Sequence, residues 1–314
     1  MGKNVDVSII MINYKNANMT IDAVNSINSK SQKFNYEIIV VDNSNDIQEF
    51  NKLKNLINNE AICINANANL GFGNGNNLGS KYANGKYLYF INNDTLLINN
   101  AIYELYKFME ENSNCGIAGS NLYTTDNKPN HSFSKNEMTI REVKKQNSVF
   151  EIIKRNLFKR KDFNFTNNPI KLKGYVCGAS LMISKDNFDK IGGFDKDIFM
   201  YAEETLLNYR VLHNLKLDIY NIPSSKIIHY EGASFGKDKI VTKFHAQSFV
   251  NGNYIYYLKA YSNEYAQKYL KCAIKIYSKK LKLAKITKKR NPESYVNLVE
   301  AFNNKLDAVR KEVF

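Results

Sequence analysis

The sequence predicts an α/β fold, an open and largely parallel sheet followed by a helical extension, on three observations. The first half of the 314-residue chain alternates short apolar runs with polar, helix-compatible stretches, as βαβ units do. Each of the first strands closes in polar residues: Asn13-Tyr14, Asp42-Asn43, Asn65 to Asn69 and Asn92-Asn93-Asp94. That carboxyl edge is the usual ligand crevice of such a sheet. After about residue 240 the pattern turns helical and strongly basic.

Taken in order, residues 7–12 (Val-Ser-Ile-Ile-Met-Ile) read as a strand, 18–30 as a helix, 36–42 as a second strand and 48–58 as a second helix. Ala61 to Asn65 gives a third strand, Gly75 to Tyr82 a helix, 87–91 the central strand and 99–112 an amphipathic helix. Residues 131–168, rich in Lys, Arg and Asn with scattered Phe, form a variable insertion, read as an excursion or helical segment over the site. Residues 174–183 read as a strand with a glycine kink, Lys185 to Ile191 as a helical turn, and 217–222 and 226–229 as closing strands.

Composition narrows the class. At 44% hydrophobic and 12% aromatic residues the chain is globular. Four scattered cysteines with no CxxC pair argue against a zinc site or a disulfide framework, and fit single buried thiols in a reducing cytoplasm. The N-terminus has no signal-peptide pattern, and no apolar run approaches the roughly 20 residues of a spanning helix. A soluble or peripheral protein is expected. A net charge of +14 calls for an anionic partner, and ten Lys or Arg with no acidic residue fall between Lys268 and Arg290.

The chemistry-bearing residues cluster at the strand ends. Asp94, flanked by amides after the apolar run Tyr87 to Ile91, is placed for a metal or ligand contact; an Asx turn is the plainer reading of the same residues. Residues 67–79 pack four glycines and five asparagines together, including Asn69, Gly71, Phe72 and Asn76. Such glycines let backbone approach a ligand, and a following helix N-terminus offers N–H groups to phosphate; a plain turn is the alternative. Glu203 and Glu204 open a helix, where they can complement its dipole or, since adjacent side chains diverge, let one face a cleft as a general base. His229 at a strand end can join Asp94 as a ligand, since imidazole and carboxylate both suit Mn²⁺; an ordinary hydrogen-bonding role is the alternative.

The order Asn13-Tyr14, Val40-Val41-Asp42-Asn43-Ser44, Asn69 to Asn76, Asn92-Asn93-Asp94-Thr95, Gly178-Ala179, Gly193-Phe194-Asp195, Glu203-Glu204 and His229-x-x-Gly232-x-Ser234 resembles family 2 glycosyltransferases of the rhamnosyltransferase-like branch, over residues 5–236. The resemblance implies a GT-A fold, with a catalytic domain over 1–236 and a basic helical region over 237–314. It implies a nucleotide-sugar donor (a dTDP-sugar such as rhamnose first, a UDP-hexose next) and a divalent cation, Mn²⁺ or Mg²⁺. Asp94 inherits the metal role of the family's Asp-x-Asp motif, whose first position here is Asn92, and Asn92 and Asn93 fall on the donor side. Asp42 matches the nucleoside contact and Asn13-Tyr14 the loop that holds the base. Glu203-Glu204 match a Glu-Asp pair whose second member is the base, which makes Glu204 the candidate. An inverting displacement follows, with no covalent nucleophile.

In the tail, Tyr269, Ala273, Ile276 or Tyr277, Leu281 and Ala284 recur at helical spacing with lysines between them. Either a solvated helix packed on the catalytic domain or a contact with an anionic membrane surface explains this pattern, and the helices can also serve homo-oligomerisation. The expected acceptor is a surface glycan or a lipid-linked glycan, and the expected location the cytoplasmic side of the inner membrane. A nucleic-acid-binding protein is the rival class. It is disfavoured because the basic residues lie outside the α/β half and no nucleic-acid motif is present. A degenerate, scaffolding transferase is the third reading, motivated by Asn92 and Glu204.

Overall fold

The computed structural model describes residues 4–148, 168–230, 240–287 and 291–311. The first half runs β1 (Val7–Asn13), α1 (Ala17–Lys30), β2 (Tyr36–Asp42), α2 (Ile47–Ile57), β3 (Ile62–Asn65), α3 (Gly71–Ser80), β4 (Tyr87–Asn92), β5 (Thr95–Leu97), α4 (Ala101–Glu111) and β6 (Cys115–Tyr123). It continues through β7 (Phe133–Ser134), α5 (Ile140–Gln146), β8 (Ile170–Leu172), β9 (Tyr175–Val176), β10 (Ser180–Ser184), α6 (Lys185–Lys190), α7 (Glu203–Arg210) and β11 (Asp218–His229). Three helices follow, α8 (Lys243–Ala260), α9 (Asn263–Thr287) and α10 (Pro292–Lys311).

The main sheet runs β3-β2-β1-β4-β10-β6-β11-β5, with β8 on β11. The pairs β1–β2, β1–β4, β2–β3 and β6–β11 are parallel, and β10 is antiparallel to both its neighbours. The consequence is positional. Parallel strands bring their carboxyl ends to one edge, and β10, running the other way, brings the loop that precedes it to that same edge.

β1 and β4 are buried on both faces, as the continuous apolar run of a central parallel strand requires. One face is covered by α1, α2 and α4 through Val24, Ile27, Leu53 and Leu105, and the other by Phe188, Phe194 and Val211. Each fully buried side chain of this kind contributes roughly 1.5–3 kcal/mol. A third core lies among α8, α9 and α10, around Tyr256, Tyr257, Tyr269 and Phe302, and takes in Ile198 and Leu206 from the α/β half.

The structure departs from the sequence reading in places. α3 begins at Gly71 rather than Gly75, so the glycine-rich run is already helix. Gly71 has φ +77° and a Cβ there would lie 2.0 Å from the Phe199 carbonyl oxygen, so only glycine fits. β6 was not foreseen. The strand expected at 174–183 is two pieces, β9 and β10, and the two closing strands are one, β11, with a register shift between Ile222 and Lys226. None of the cysteines is in a disulfide; Cys115 and Cys272 are buried while Cys63 and Cys177 are half-buried. Within the expected insertion, residues 149–167 lie outside the described residues, as do Gly232 and Ser234.

Candidate active site

The polar strand ends meet in register. Asn13 stands opposite Asp42, and Asp42 opposite Asn65. Behind them runs a chain of side-chain hydrogen bonds. Asn93 Nδ2 donates to Thr20 Oγ1 at 2.9 Å, Thr20 donates to Asn13 Oδ1 at 2.8 Å, and Asn13 Nδ2 donates to Asp42 Oδ1 at 2.7 Å. Ser44 Oγ donates to the same carboxylate oxygen at 2.6 Å. Asp42 Oδ2 is buried and has no partner among the described residues. An unmade buried acceptor costs roughly 1–3 kcal/mol, a cost this closed network carries behind the cleft wall.

Asp94 lies in the turn between β4 and β5, and the short β5 then pairs antiparallel with the end of β11, His229 opposite Thr95. This pairing brings Asp94 to the histidine. Asp94 Oδ1 and His229 Nε2 are 3.2 Å apart, and the Tyr230 amide donates to the Asp94 carbonyl at 2.9 Å. His229 Nδ1 is buried with no partner among the described residues. The donor set, one carboxylate and one imidazole, suits Mn²⁺, and a nucleotide diphosphate would complete it. Among the described residues no group of three His, Cys, Asp or Glu side chains could hold a metal by itself.

The two glutamates are set by a strained turn. Tyr201 (φ +73°) and Ala202 (φ +69°) are both left-handed immediately before α7, a conformation costing of order 1–3 kcal/mol each unless neighbours impose it. The neighbours are glycines. A Cβ on Gly252 of α8 would lie 2.0 Å from the Tyr201 carbonyl oxygen, and Gly71 abuts Phe199. Glu203, 3% exposed, packs against Gly73, and its carboxyl is pushed above the usual carboxylate range by burial and then by the charge of Glu204. Burial also raises Glu204, against the pull of the α7 amides. Glu204 sits beside Gly178 in the loop before β10, and with burial its charge raises the Tyr175 hydroxyl.

A cleft of about 1240 Å³ joins these groups. Tyr14, Asn69, Gly71, Phe72, Asn92, Asn93, Asp94 and His229 line one part, and Glu203 and Glu204 stand in the same cleft. Asn13, Asp42 and Asn76 are buried and absent from the lining, so they support its wall; Asn76 Nδ2 donates to the Phe72 carbonyl at 3.0 Å. Of the remaining wall, Val143 of α5 belongs to the segment expected over the site, whereas sequence reasoning missed the part from α8 and α9: Phe249, Tyr256, Tyr269, Ala273, Ile276 and Tyr277. The helical spacing at 269, 273, 276 and 277 was the available signal, but spacing does not say what a face looks toward. Thr20, interior to α1, carried no signal at all.

Known proteins share this architecture. A 65-residue stretch is 34% identical to N-acetylglucosaminyl-diphospho-decaprenol L-rhamnosyltransferase of Mycobacterium tuberculosis, and the match spans only 21% of each chain. An uncharacterized glycosyltransferase of Methanocaldococcus jannaschii is 27% identical over 212 residues, 65% of this chain and 70% of its own. The crystal structure of GalNAc-T7 with UDP, GalNAc and Mn²⁺ superimposes with TM-score 0.59 and 13% identity, over 98% of this chain and 55% of that one, which is a likeness of fold, GT-A. The model of glycosyl transferase family 2 matches residues 8–188. With more than half of its length matched, the chain belongs to glycosyl transferase family 2.

Proposed function

We propose that this glycosyltransferase moves a sugar from a nucleoside-diphosphate donor to a hydroxyl of a lipid-linked glycan, with inversion, and that L-rhamnose from a dTDP donor is the sugar, a UDP-hexose being the second choice. The observation that carries this reading is the placement of Asp94 with His229 and of Glu204 in one cleft at the carboxyl edge of the sheet. The rhamnosyl donor and lipid-linked acceptor are suggested by the mycobacterial relative's name.

Each residue has a task. Asp42 holds Asn13 and Ser44 in place behind the cleft wall, and Tyr14 covers the base. Asp94 and His229 would hold a divalent cation, which when bound would supply positive charge to a diphosphate leaving group. Glu204 accepts the proton of the acceptor hydroxyl as its oxygen attacks the anomeric carbon from the face opposite the diphosphate. A single displacement inverts that carbon. Glu203, buried against Gly73 of α3 at the cleft wall, holds the helix start in place. Transfer at the inner membrane face suits a lipid-linked acceptor; among the described residues no helix is long and apolar enough to cross a membrane.

A panel of dTDP- and UDP-sugars, assayed for donor turnover and thermal shift with and without Mn²⁺, tests this. A ligand at 100 times its Kd adds about 2.7 kcal/mol of stability. Asp94→Asn is expected to lower turnover by at least about 100-fold and to abolish the Mn²⁺-dependent shift. Full retention of both would remove Asp94 from the mechanism.

A further inference from the structure

We propose that the part of the cleft wall formed by α5 and α8 binds an uncharged sugar ring of the acceptor, with the side-chain amides of Asn147 and Asn253 as its hydrogen-bonding groups. Calling that ring an acceptor rests on the transferase reading of the preceding section; what is added is the chemical class of the group and the residues that grip it. The cleft, at about 1240 Å³, exceeds the roughly 300–1000 Å³ of an ordinary small-molecule pocket, which leaves room for an acceptor beside the donor.

The two asparagines are set alike. Asn147 Nδ2 donates to the Val143 carbonyl at 2.8 Å, and Asn253 Nδ2 donates to the Phe249 carbonyl at 2.8 Å, each one turn back on its own helix. One amide hydrogen is spent on fixing the plane of the side chain. The oxygen Oδ1 and the second hydrogen remain for the cleft that both residues line. A donor and an acceptor held in one plane match the neighbouring hydroxyls of a sugar, each of which can give and take a hydrogen bond. Asn253 is also fixed relative to the catalytic turn, because the adjacent Gly252 abuts the Tyr201 carbonyl two residues before Glu203.

The rest of this wall is aromatic and uncharged. Phe249 shares a face of α8 with Asn253, and its ring centre lies 5.9 Å from that of Tyr201 with the planes at 70°. Such rings offer flat apolar surface to the C–H groups of a sugar while the amides take its hydroxyl rim. Among the described residues that line the cleft the only Lys or Arg is Lys15, just after β1, and burial holds the His245 imidazole below its usual pKa, uncharged at neutral pH. A uronate would enter this wall with no cation to meet it, at a cost that a neutral ring escapes.

Saturation-transfer NMR on the full chain, with Mn²⁺ and whichever of dTDP or UDP it binds, tests the assignment by titration with methyl glycosides of N-acetylglucosamine, glucose, galactose and rhamnose and with methyl glucuronide. At least one neutral glycoside is expected to bind about fivefold or more tightly than the glucuronide, and Asn147→Ala and Asn253→Ala should each weaken it about fivefold. Asn147→Lys should shift the preference toward the glucuronide, a gain that a damaged fold cannot produce. No neutral glycoside binding, equal or tighter binding of the glucuronide, affinity that neither alanine variant lowers, or a preference that Asn147→Lys leaves unmoved overturns the assignment. Donor turnover separates the two claims. Turnover by a chain that binds no neutral glycoside sinks the sugar site alone, and glycoside binding that the alanine variants weaken, in a chain without donor turnover, sinks the transferase reading alone.

Discussion

Glu203 and Glu204 differ less in chemistry than in how much of each meets the cleft. Glu203 is closed in by α3, so ionising it inside the fold is costly, and its raised pKa states that cost. The native state therefore holds this proton more tightly than the unfolded chain. Its stabilising contribution is complete below the ordinary carboxylate pKa of about 4.3 and is lost as pH rises through the raised folded value. Glu203→Gln should consequently raise Tm by a few degrees at pH 8 and change it little at pH 4, read by scanning calorimetry. Glu204→Gln should instead cost about 10²–10⁴ in turnover. Since the base must be deprotonated, wild-type turnover should fall with acidification at a pH above the ordinary carboxylate range; a profile flat down to pH 5 would contradict the role. Thr20 belongs to the same scale. It links Asn93, next to Asp94, to Asn13 and thence Asp42, and each such bond is worth roughly 1 kcal/mol. Thr20→Val should raise the donor KM about fivefold with kcat nearly unchanged, and Thr20→Ser should restore it; equal KM for all three would show the relay to be idle.

Among the elements, the start of α7 depends on glycines far away in sequence. Gly252→Ala would put a methyl group into the Tyr201 carbonyl, and backbone on both sides leaves it nowhere to go. A loss of about 1–3 kcal/mol by urea denaturation, together with reduced turnover, is expected. Unaltered values would mean that the turn is not clamped. The same contacts explain what could be read in advance. β1, β2 and β4 announced themselves as continuous apolar runs, and their polar ends located the cleft. β6 did not, because Gly116, Gly119, Ser120 and Asn121 punctuate it like a loop. The structure uses those glycines for close packing: a Cβ on Gly116 would meet Val211 at 2.5 Å and one on Gly119 would meet Val176 at 2.6 Å. α3 was placed too late for the same reason, its glycines admitting Phe194, Ile12 and Ile10. β11 was read as two strands, 217–222 and 226–229; the segment between them holds Pro223, which cannot donate to a ladder, and the single strand carries it at an irregularity between Ile222 and Lys226.

At the scale of the molecule, the C-terminal helices share a core with the catalytic half rather than trailing from it. Ile198 and Leu206 are buried in the same cluster as Tyr256, Tyr257 and Tyr269. Asp195, raised by burial but brought below its usual pKa by Lys259, the Asp197 amide and Arg210, ties α8 to the segment before α7. A chain ended at residue 240 should accordingly be recovered insoluble or expanded, because that apolar surface loses its cover. A soluble monomer with native circular dichroism would refute this. The sequence located the strand-end side of the cleft because strand ends are local signals. It left the wall from α8 and α9 dark because the direction in which an apolar helix stripe looks is decided only by tertiary packing.

The meeting of Gly252 with the Tyr201 carbonyl also bears on how such proteins can be recombined. A hybrid that borrows its last three helices from a cousin would inherit an unsuitable spacer at this junction, unless a residue lacking a side chain again fell there. Enzymatic silence in an otherwise well-folded hybrid would then trace to a single methyl group.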